Sequence, residues 1–457
     1  MKKLTLLLII LSIVISLFGC KTLPKNKING NSISEYSIVY SDEDLDYSKR
    51  AAEYIKAEIL ERTQHDLPLV EDSEEAKTKY EIVVGNTERA ISEKLDAETE
   101  GLEFAILADG GNVALEGDYF IIAAAAYFFI ECYVPEADFT AEIPEKISVH
   151  TPIQKDTKNY IMLIGDGMGQ NHTKLFEFLD NDIEYGDGED FFYGNLLPYH
   201  GFSRTNSLSG TTDSAAGGTA LACGIKTINQ YIGRDENKED VKSLTELAYE
   251  KGMSAGVMST EANTGATPAS FSAHADSRNS SSDIIKSQAE ARSKYGLQIK
   301  CGMNYYTERY VNLIEDSVMD MLDTLDNNEK GFFLMYEEAH IDKHSHNNDM
   351  EGLFKAVVRF NQIIARVMEY AFYNPETMVL ITADHETGGL IHSQDGTMRF
   401  TSDDHTSANV YTFSYGKGAE VFDGQTVENI QIAHTFADYM GDSNFGDQSE
   451  FQSLAKK

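Results

Sequence analysis

Five stretches of this 457-residue chain carry side chains that could act together on a substrate. In Tyr160-Ile161-Met162-Leu163-Ile164-Gly165-Asp166-Gly167-Met168-Gly169 an apolar run delivers one Asp to its carboxyl end, between glycines that let backbone and ions come close. The G-x-G-x-G spacing is not the G-x-G-x-x-G of a dinucleotide loop. Alone, Asp166 reads as a turn residue. Thr211-Thr212-Asp213-Ser214-Ala215-Ala216 sets a Ser at the start of an apolar helix, where backbone N–H groups and the helix dipole favour phosphate. Alone, Ser214 reads as an N-cap. In Ile341-Asp342-Lys343-His344-Ser345-His346, Asp342 and His346 are four apart, so on a helix they share a face and can grip one metal ion. His340 and His344 offer a second pair at that spacing, which does not choose between them. Upstream, the apolar run Phe332–Tyr336 ends at Glu337. Met378–Thr382 runs into Ala383-Asp384-His385-Glu386-Thr387-Gly388-Gly389, where an oxygen and a nitrogen ligand suited to zinc stand side by side. His405 stands in a polar loop, ordinarily a solvent-exposed place.

Elements of an α/β fold must bring these stretches together. From Asn159 onward strands and helices alternate: helix Ser243–Glu250, strands Ser254–Ser259 and Gly331–Tyr336, helix Leu353–Ala371, strands Met378–Thr382 and Val410–Ser414. Alternation with near-continuous apolar strands predicts a mostly parallel sheet sandwiched between helices, with functional groups at the carboxyl ends of its strands. The organisation expected is a signal peptide at 1–20, a tether at 21–33, a small α/β accessory domain at 34–143, a catalytic domain at 157–445 and a tail at 446–457. A linker is read at Pro144–Lys158. The accessory segment offers strands Tyr36–Ser41 and Tyr80–Gly85, a helix over Asp46–Thr63, a hairpin around Asp109-Gly110-Gly111-Asn112 and a buried helix over Tyr119–Tyr133.

With 74 acidic against 38 basic residues the net charge is −36, which repels nucleic acid and anionic lipid and excludes both as partners. Phosphate esters are repelled too, so any phosphate chemistry needs strong local positive charge from metals or a placed Arg. Lys2 and Lys3, the apolar run Leu4–Phe18 and Leu17-Phe18-Gly19-Cys20 form a secretory signal ending like a bacterial lipobox. The expectation is export and lipid anchoring at the cell envelope through Cys20, the only membrane contact; an uncleaved anchor is the alternative. Cys132, Cys223 and Cys301 lie far apart and read as small buried apolar residues, not as a disulfide or metal framework.

In order, GDGMG, TDSAA, ATPASFSAHADSR, EEAHIDKHSH and TADHETGG resemble the alkaline phosphatase family over residues 159–420. The resemblance implies two zinc ions and one magnesium. Asp342, His346 and His405 would hold one zinc; Asp384, His385 and Asp166 the other, facing Ser214. Asp166, Thr267 and Glu337 would hold the magnesium, and Arg278 two phosphate oxygens. His340, His344 and His274 are then not ligands. The activity implied is hydrolysis of phosphate monoesters through a phosphoserine on Ser214, with net retention at phosphorus. Zinc activation suits a Ser with no spare His base, and the planar fork of Arg278 matches two phosphate oxygens. One position departs from the pattern. Many bacterial relatives carry an Asp two residues before the Thr ligand, and here Gly265 stands there, so magnesium binding is expected to be weak. Residues 34–143 resemble the small α/β domain that precedes the catalytic barrel in hexosaminidases, which implies an accessory unit and a glycan contact. A homodimer is compatible with the family. A phosphodiesterase of the same superfamily and a non-catalytic surface lipoprotein are the competing readings. A sulfatase is disfavoured because no Cys- or Ser-x-Pro-x-Arg stretch surrounds Ser214.

Overall fold

The computed structural model describes residues 26–44, 46–74, 78–95, 101–136, 138–178, 191–303, 311–393, 397–447 and 449–456. These form two compact units, one reaching to His150 and the other running on from Thr151. The signal segment and Cys20 lie outside the described residues. Among the described residues no helix is long and apolar enough to cross a membrane.

The first unit is a six-stranded sheet with two long helices. Its elements are β1 (Tyr36–Tyr40), α1 (Tyr47–Thr63), β2 (Leu69–Glu71), β3 (Tyr80–Val84), β4 (Phe104–Asp109), β5 (Asn112–Glu116), α2 (Ile122–Tyr133) and β6 (Lys146–Val149). The strand order is β2-β1-β3-β5-β4-β6. β4 and β5 form the expected antiparallel hairpin, with Gly110 and Gly111 at φ +59° and +98° in the turn. Two stretches read as connectors are structured. Lys27–Ile28, in the expected tether, pairs with Asn31–Ser32 and with Thr140–Ala141. Lys146–Val149, in the expected linker, adds β6 beside β4. None of its residues is buried, so no apolar signal marks it as a strand. The cysteine expectation also needs correction: Cys223 is buried, Cys301 half-buried and Cys132 exposed.

The second unit is built on an eight-stranded sheet. Its labelled elements are β7 (Asn159–Gly165), β8 (Tyr199–Arg204), α3 (Ser214–Cys223), α4 (Leu244–Glu250), β9 (Ser254–Ser259), β10 (Gln298–Cys301), β11 (Phe332–Glu338), α5 (His340–His346), α6 (Met350–Tyr373), β12 (Thr377–Thr382), β13 (Val410–Tyr415), β14 (Thr426–Glu428) and α7 (Asn429–Tyr439). The order is β10-β9-β11-β7-β12-β13-β8-β14. The first five strands are mutually parallel, and β13 runs antiparallel to both its neighbours. Every residue of β7, β11 and β12 is buried, as their unbroken apolar runs require of strands covered on both faces. Met162, Ile164, Phe333, Met335 and Leu380 share one core with Leu221 of α3 and Phe436 of α7. α4 starts at a capping box in which the Ser243 and Glu246 side chains each accept from the other's backbone N–H.

Register turns this sheet into a platform. Ile164 lies opposite Glu337 on one side and Thr382 on the other. Asp166, Glu337 and Asp384 therefore arrive together at the carboxyl edge of three adjacent strands. β11 runs on to Glu338, so Glu337 sits within the strand rather than after it. α3 closes over this edge because Gly217 has no side chain: a Cβ there would lie 3.0 Å from the Asp384 carbonyl oxygen. Gly217→Val is expected to cost about 1–3 kcal/mol of overpacking. It should lower the calorimetric midpoint of the second unit, and an unchanged midpoint would contradict this packing.

Candidate metal centre

Ser214 occupies the first turn of α3, but it is not the cap. Asp213 is: one carboxylate oxygen accepts from the Ala216 N–H at 3.0 Å. Its other oxygen accepts from the Gln230 N–H at 3.0 Å and lies 3.3 Å from Nη1 of Arg278. One acid thus starts the helix and orients the guanidinium. It also leaves the Ser214 hydroxyl to face Nε2 of His385 at 3.2 Å.

A first cluster forms on α5, whose helical turn sets Asp342 and His346 on one face. Oδ1 of Asp342 lies 3.4 Å from Nε2 of His346 and 3.6 Å from Nε2 of His405. His405 arrives through a two-residue antiparallel pairing of Glu386–Thr387 with His405–Thr406. Its ring stacks on His385 with centroids 3.6 Å apart. The second nitrogens fix which atom faces inward. Nδ1 of His346 lies 2.7 Å from the Asp403 carbonyl, and Nδ1 of His405 lies 2.8 Å from the Thr212 carbonyl. A carbonyl can only accept, so each Nδ1 carries the hydrogen and each neutral ring turns an Nε2 lone pair inward. Those two Nε2 atoms are 3.0 Å apart. Two ring nitrogens that close share a proton or a cation between them.

A second cluster adjoins it. Nε2 of His385 lies 3.5 Å from Oδ1 of Asp166 and 3.3 Å from Oδ2 of Asp384. Thr387, which the sequence reading did not single out, orders this ring. Its hydroxyl donates to Oδ1 of Asp342 at 2.6 Å and so can only accept from Nδ1 of His385, 3.2 Å away. His385 therefore also points a lone pair at carboxylates. The ligand atoms of Asp342, His346 and His405, and those of Asp166, Asp342 and His385, each fall within 4.8 Å of one another. Gly167, at φ +72°, is needed here: a Cβ would meet the Thr387 hydroxyl at 2.7 Å and Asp342 Oδ1 at 2.9 Å.

The acids cannot all be charged unaided. Burial, then the charges of Asp384 and Asp342, holds the Asp166 carboxyl well above its usual range. Burial and the Asp342 charge push Asp384 up to about 7. Burial and the charge of Glu261 raise Glu337. Oδ1 of Asp166, Oδ2 of Asp384, Oε1 of Glu337 and Oγ1 of Thr267 are buried with no hydrogen-bond partner. Buried polar atoms are ordinarily satisfied, so four orphans at one strand edge match a place for cations. The residues present fit such ions. The other histidines are engaged elsewhere: His340 faces the Thr260 hydroxyl at 3.2 Å, His344 pairs with Asp349 at 2.8 Å, and His274 meets the Gly233 carbonyl at 2.8 Å.

A family model described as Alkaline phosphatase matches residues 157–302 and 293–398. "Alkaline phosphatase 4" of Bacillus subtilis (strain 168) is 29% identical over 305 residues, covering 55% of this chain and 66% of its own length. "Alkaline phosphatase 3" of the same organism is 28% identical over 306 residues, covering 55% of this chain and 65% of its own. The chain thus spans slightly less than two thirds of these curated relatives. The structure of alkaline phosphatase from the Antarctic bacterium TAB5 superposes with a TM-score of 0.55 at 25% identity, covering 63% of this chain and 99% of that one. A single-residue variant of that enzyme, with a TM-score of 0.54, 25% identity and the same coverage, has Mg bound in its M3 site.

Removing the hydroxyl that orders His385 tests this geometry. Thr387→Val is expected to weaken cation binding about ten- to a hundredfold, while Thr387→Ser holds it near the parent value. Competition for zinc against a coloured chelator reads the difference, and equal affinities would contradict the hydrogen-bond relay.

Proposed function

The chain belongs to the alkaline phosphatase family, and on that premise we propose that it hydrolyses phosphate monoesters through a phosphoserine formed on Ser214. The observation that carries the reading is the meeting of the Ser214 hydroxyl, the Asp213-bound guanidinium of Arg278 and two clusters of metal-ligating atoms beside one strand edge. Asp342, His346 and His405 would hold one zinc and Asp166, Asp384 and His385 the other. Asp166, Glu337 and Thr267 would hold magnesium. When bound, the zinc ions supply Lewis acidity that lowers the pKa of a nearby hydroxyl and neutralises charge on oxygen.

The chain's own residues do the rest. Arg278, steered by Asp213, takes two non-bridging phosphate oxygens in its planar fork and so aligns phosphorus with Ser214. The Ser214 hydroxyl loses its proton to solvent as its oxygen attacks phosphorus, the ester P–O bond breaks, and the departing alkoxide takes a proton from solvent to leave as the alcohol. Water then attacks the phosphoserine, the P–Oγ bond breaks, and phosphate departs with configuration retained. His385 is a poor base for this step despite its closeness to Ser214. Burial, the largest cause, holds its pKa well below the usual imidazole range. That favours a hydroxyl activated by local positive charge over one deprotonated by imidazole.

The segment ending at Cys20 is read as an export and lipidation signal, and the first unit as an accessory module. Ser214→Ala is expected to lower turnover of p-nitrophenyl phosphate by at least about a thousandfold. Arg278→Ala should cost roughly a hundredfold in kcat/KM, since two charge-assisted hydrogen bonds are lost. Full activity of the Ser214 variant would overturn the phosphoserine route. Faster cleavage of bis(p-nitrophenyl) phosphate than of the monoester would overturn the substrate class.

A further inference from the structure

Gly265 leaves the expected magnesium site without the acid that many bacterial relatives carry, yet the space is filled. A Cβ built on Gly265 would overlap the Glu261 side chain, with the carboxylate carbon and Oε1 its nearest neighbours. Glu261 has therefore folded back over the glycine and put its carboxylate where a side chain from position 265 would begin.

Three acids come from three adjacent parallel strands. Ser259, the last residue of β9, lies opposite Glu337 of β11, and Gly165 of β7 lies opposite Glu338. Glu261 follows β9, Glu337 lies near the end of β11, and Asp166 follows β7. Neighbouring strands are about 4.8 Å apart, so Glu261 and Asp166 leave strands on either side of the one that carries Glu337. Oε1 of Glu337 and Oδ1 of Asp166 are buried there with no well-formed hydrogen bond, and the Thr267 hydroxyl lies close enough to Glu337 to act on it. The other oxygen of Glu337 accepts from the Ser259 hydroxyl, and that hydroxyl also accepts from the Glu261 N–H at 2.9 Å, so one serine fixes both acids. Oε2 of Glu261 is held 2.8 Å from Nζ of Lys343, the residue after Asp342.

We propose that Glu261 is the missing acid of the magnesium site: its carboxylate faces the cation held by Asp166, Glu337 and Thr267, replacing a side chain at position 265. The assignment rests on the three-cation reading above. It reverses the expectation of weak magnesium binding drawn from Gly265 alone. It also explains the glycine, because any larger residue would expel the acid that does the work. Lys343 holds the carboxylate in place from the solvent side.

The test is a calorimetric titration of magnesium chloride into zinc-loaded, magnesium-stripped full-length chain, with zinc content measured in parallel. Glu261→Gln keeps the side chain's shape and removes its charge. It is expected to raise the magnesium Kd at least about tenfold with zinc content unchanged. The double variant Glu261→Ala with Gly265→Asp should return the Kd to within a few-fold of the parent, because the acid is resupplied from the other position. If the parent binds magnesium and Glu261→Gln binds it equally well, the assignment of Glu261 is overturned and the cation site stands. If the parent takes up no magnesium, the site itself is overturned and the assignment with it.

Discussion

Asp166, Asp342 and Asp384 surround one buried imidazole at a strand edge, with Glu337 close behind. Ligand oxygens of Asp166 and Asp342 lie within 4.8 Å of each other. Two charges that close repel by about 3–4 kcal/mol at the effective dielectric of a protein. The surrounding fold holds them there. Asp166 and Asp384 extend fully buried strands, and Asp342 sits on a helix pinned by the Thr387 hydroxyl. A fold that forces buried anions and inward-facing lone pairs together is complete only when positive charge joins them. The shape of the sheet edge, the need for glycine at 167 and the orientation of each imidazole all follow from that one demand.

Much of this was legible in the sequence because it depends on local pattern. An apolar run ending in an acid marks a strand carrying that acid to its carboxyl end, as at Asp166, Glu337 and Asp384. A spacing of four on a helix marks a shared face, and α5 places Asp342 and His346 on one. His405 carries no such signal: only the long-range pairing of Thr387 with His405 brings it beneath His385. Position alone cannot reveal this, and the family resemblance was needed.

What the sequence hid has physical reasons. Thr387 is a small polar residue in a turn, indistinguishable from any other until its hydroxyl is seen between an imidazole and a carboxylate. Asp213 looks in the sequence like a mere neighbour of Ser214, yet it both caps α3 and steers Arg278. Gly265 reads in the sequence as an empty position, because a side chain folding back over it from four residues upstream leaves no local pattern. β6 was missed because its residues are exposed or half-buried, so hydrogen bonding to β4 and not burial makes it a strand.

The two-residue clip that pairs Glu386–Thr387 with His405–Thr406 has a consequence for how such a chain can diverge. Its base is fixed by backbone hydrogen bonds and by the stacked rings, so His405 does not depend on the length of the excursion between Gly388 and Asp404. Lengthening a surface loop adds little closure entropy when its ends are already tied. Insertions there can reshape the approach to the site while leaving the placement of His405 against His385 untouched.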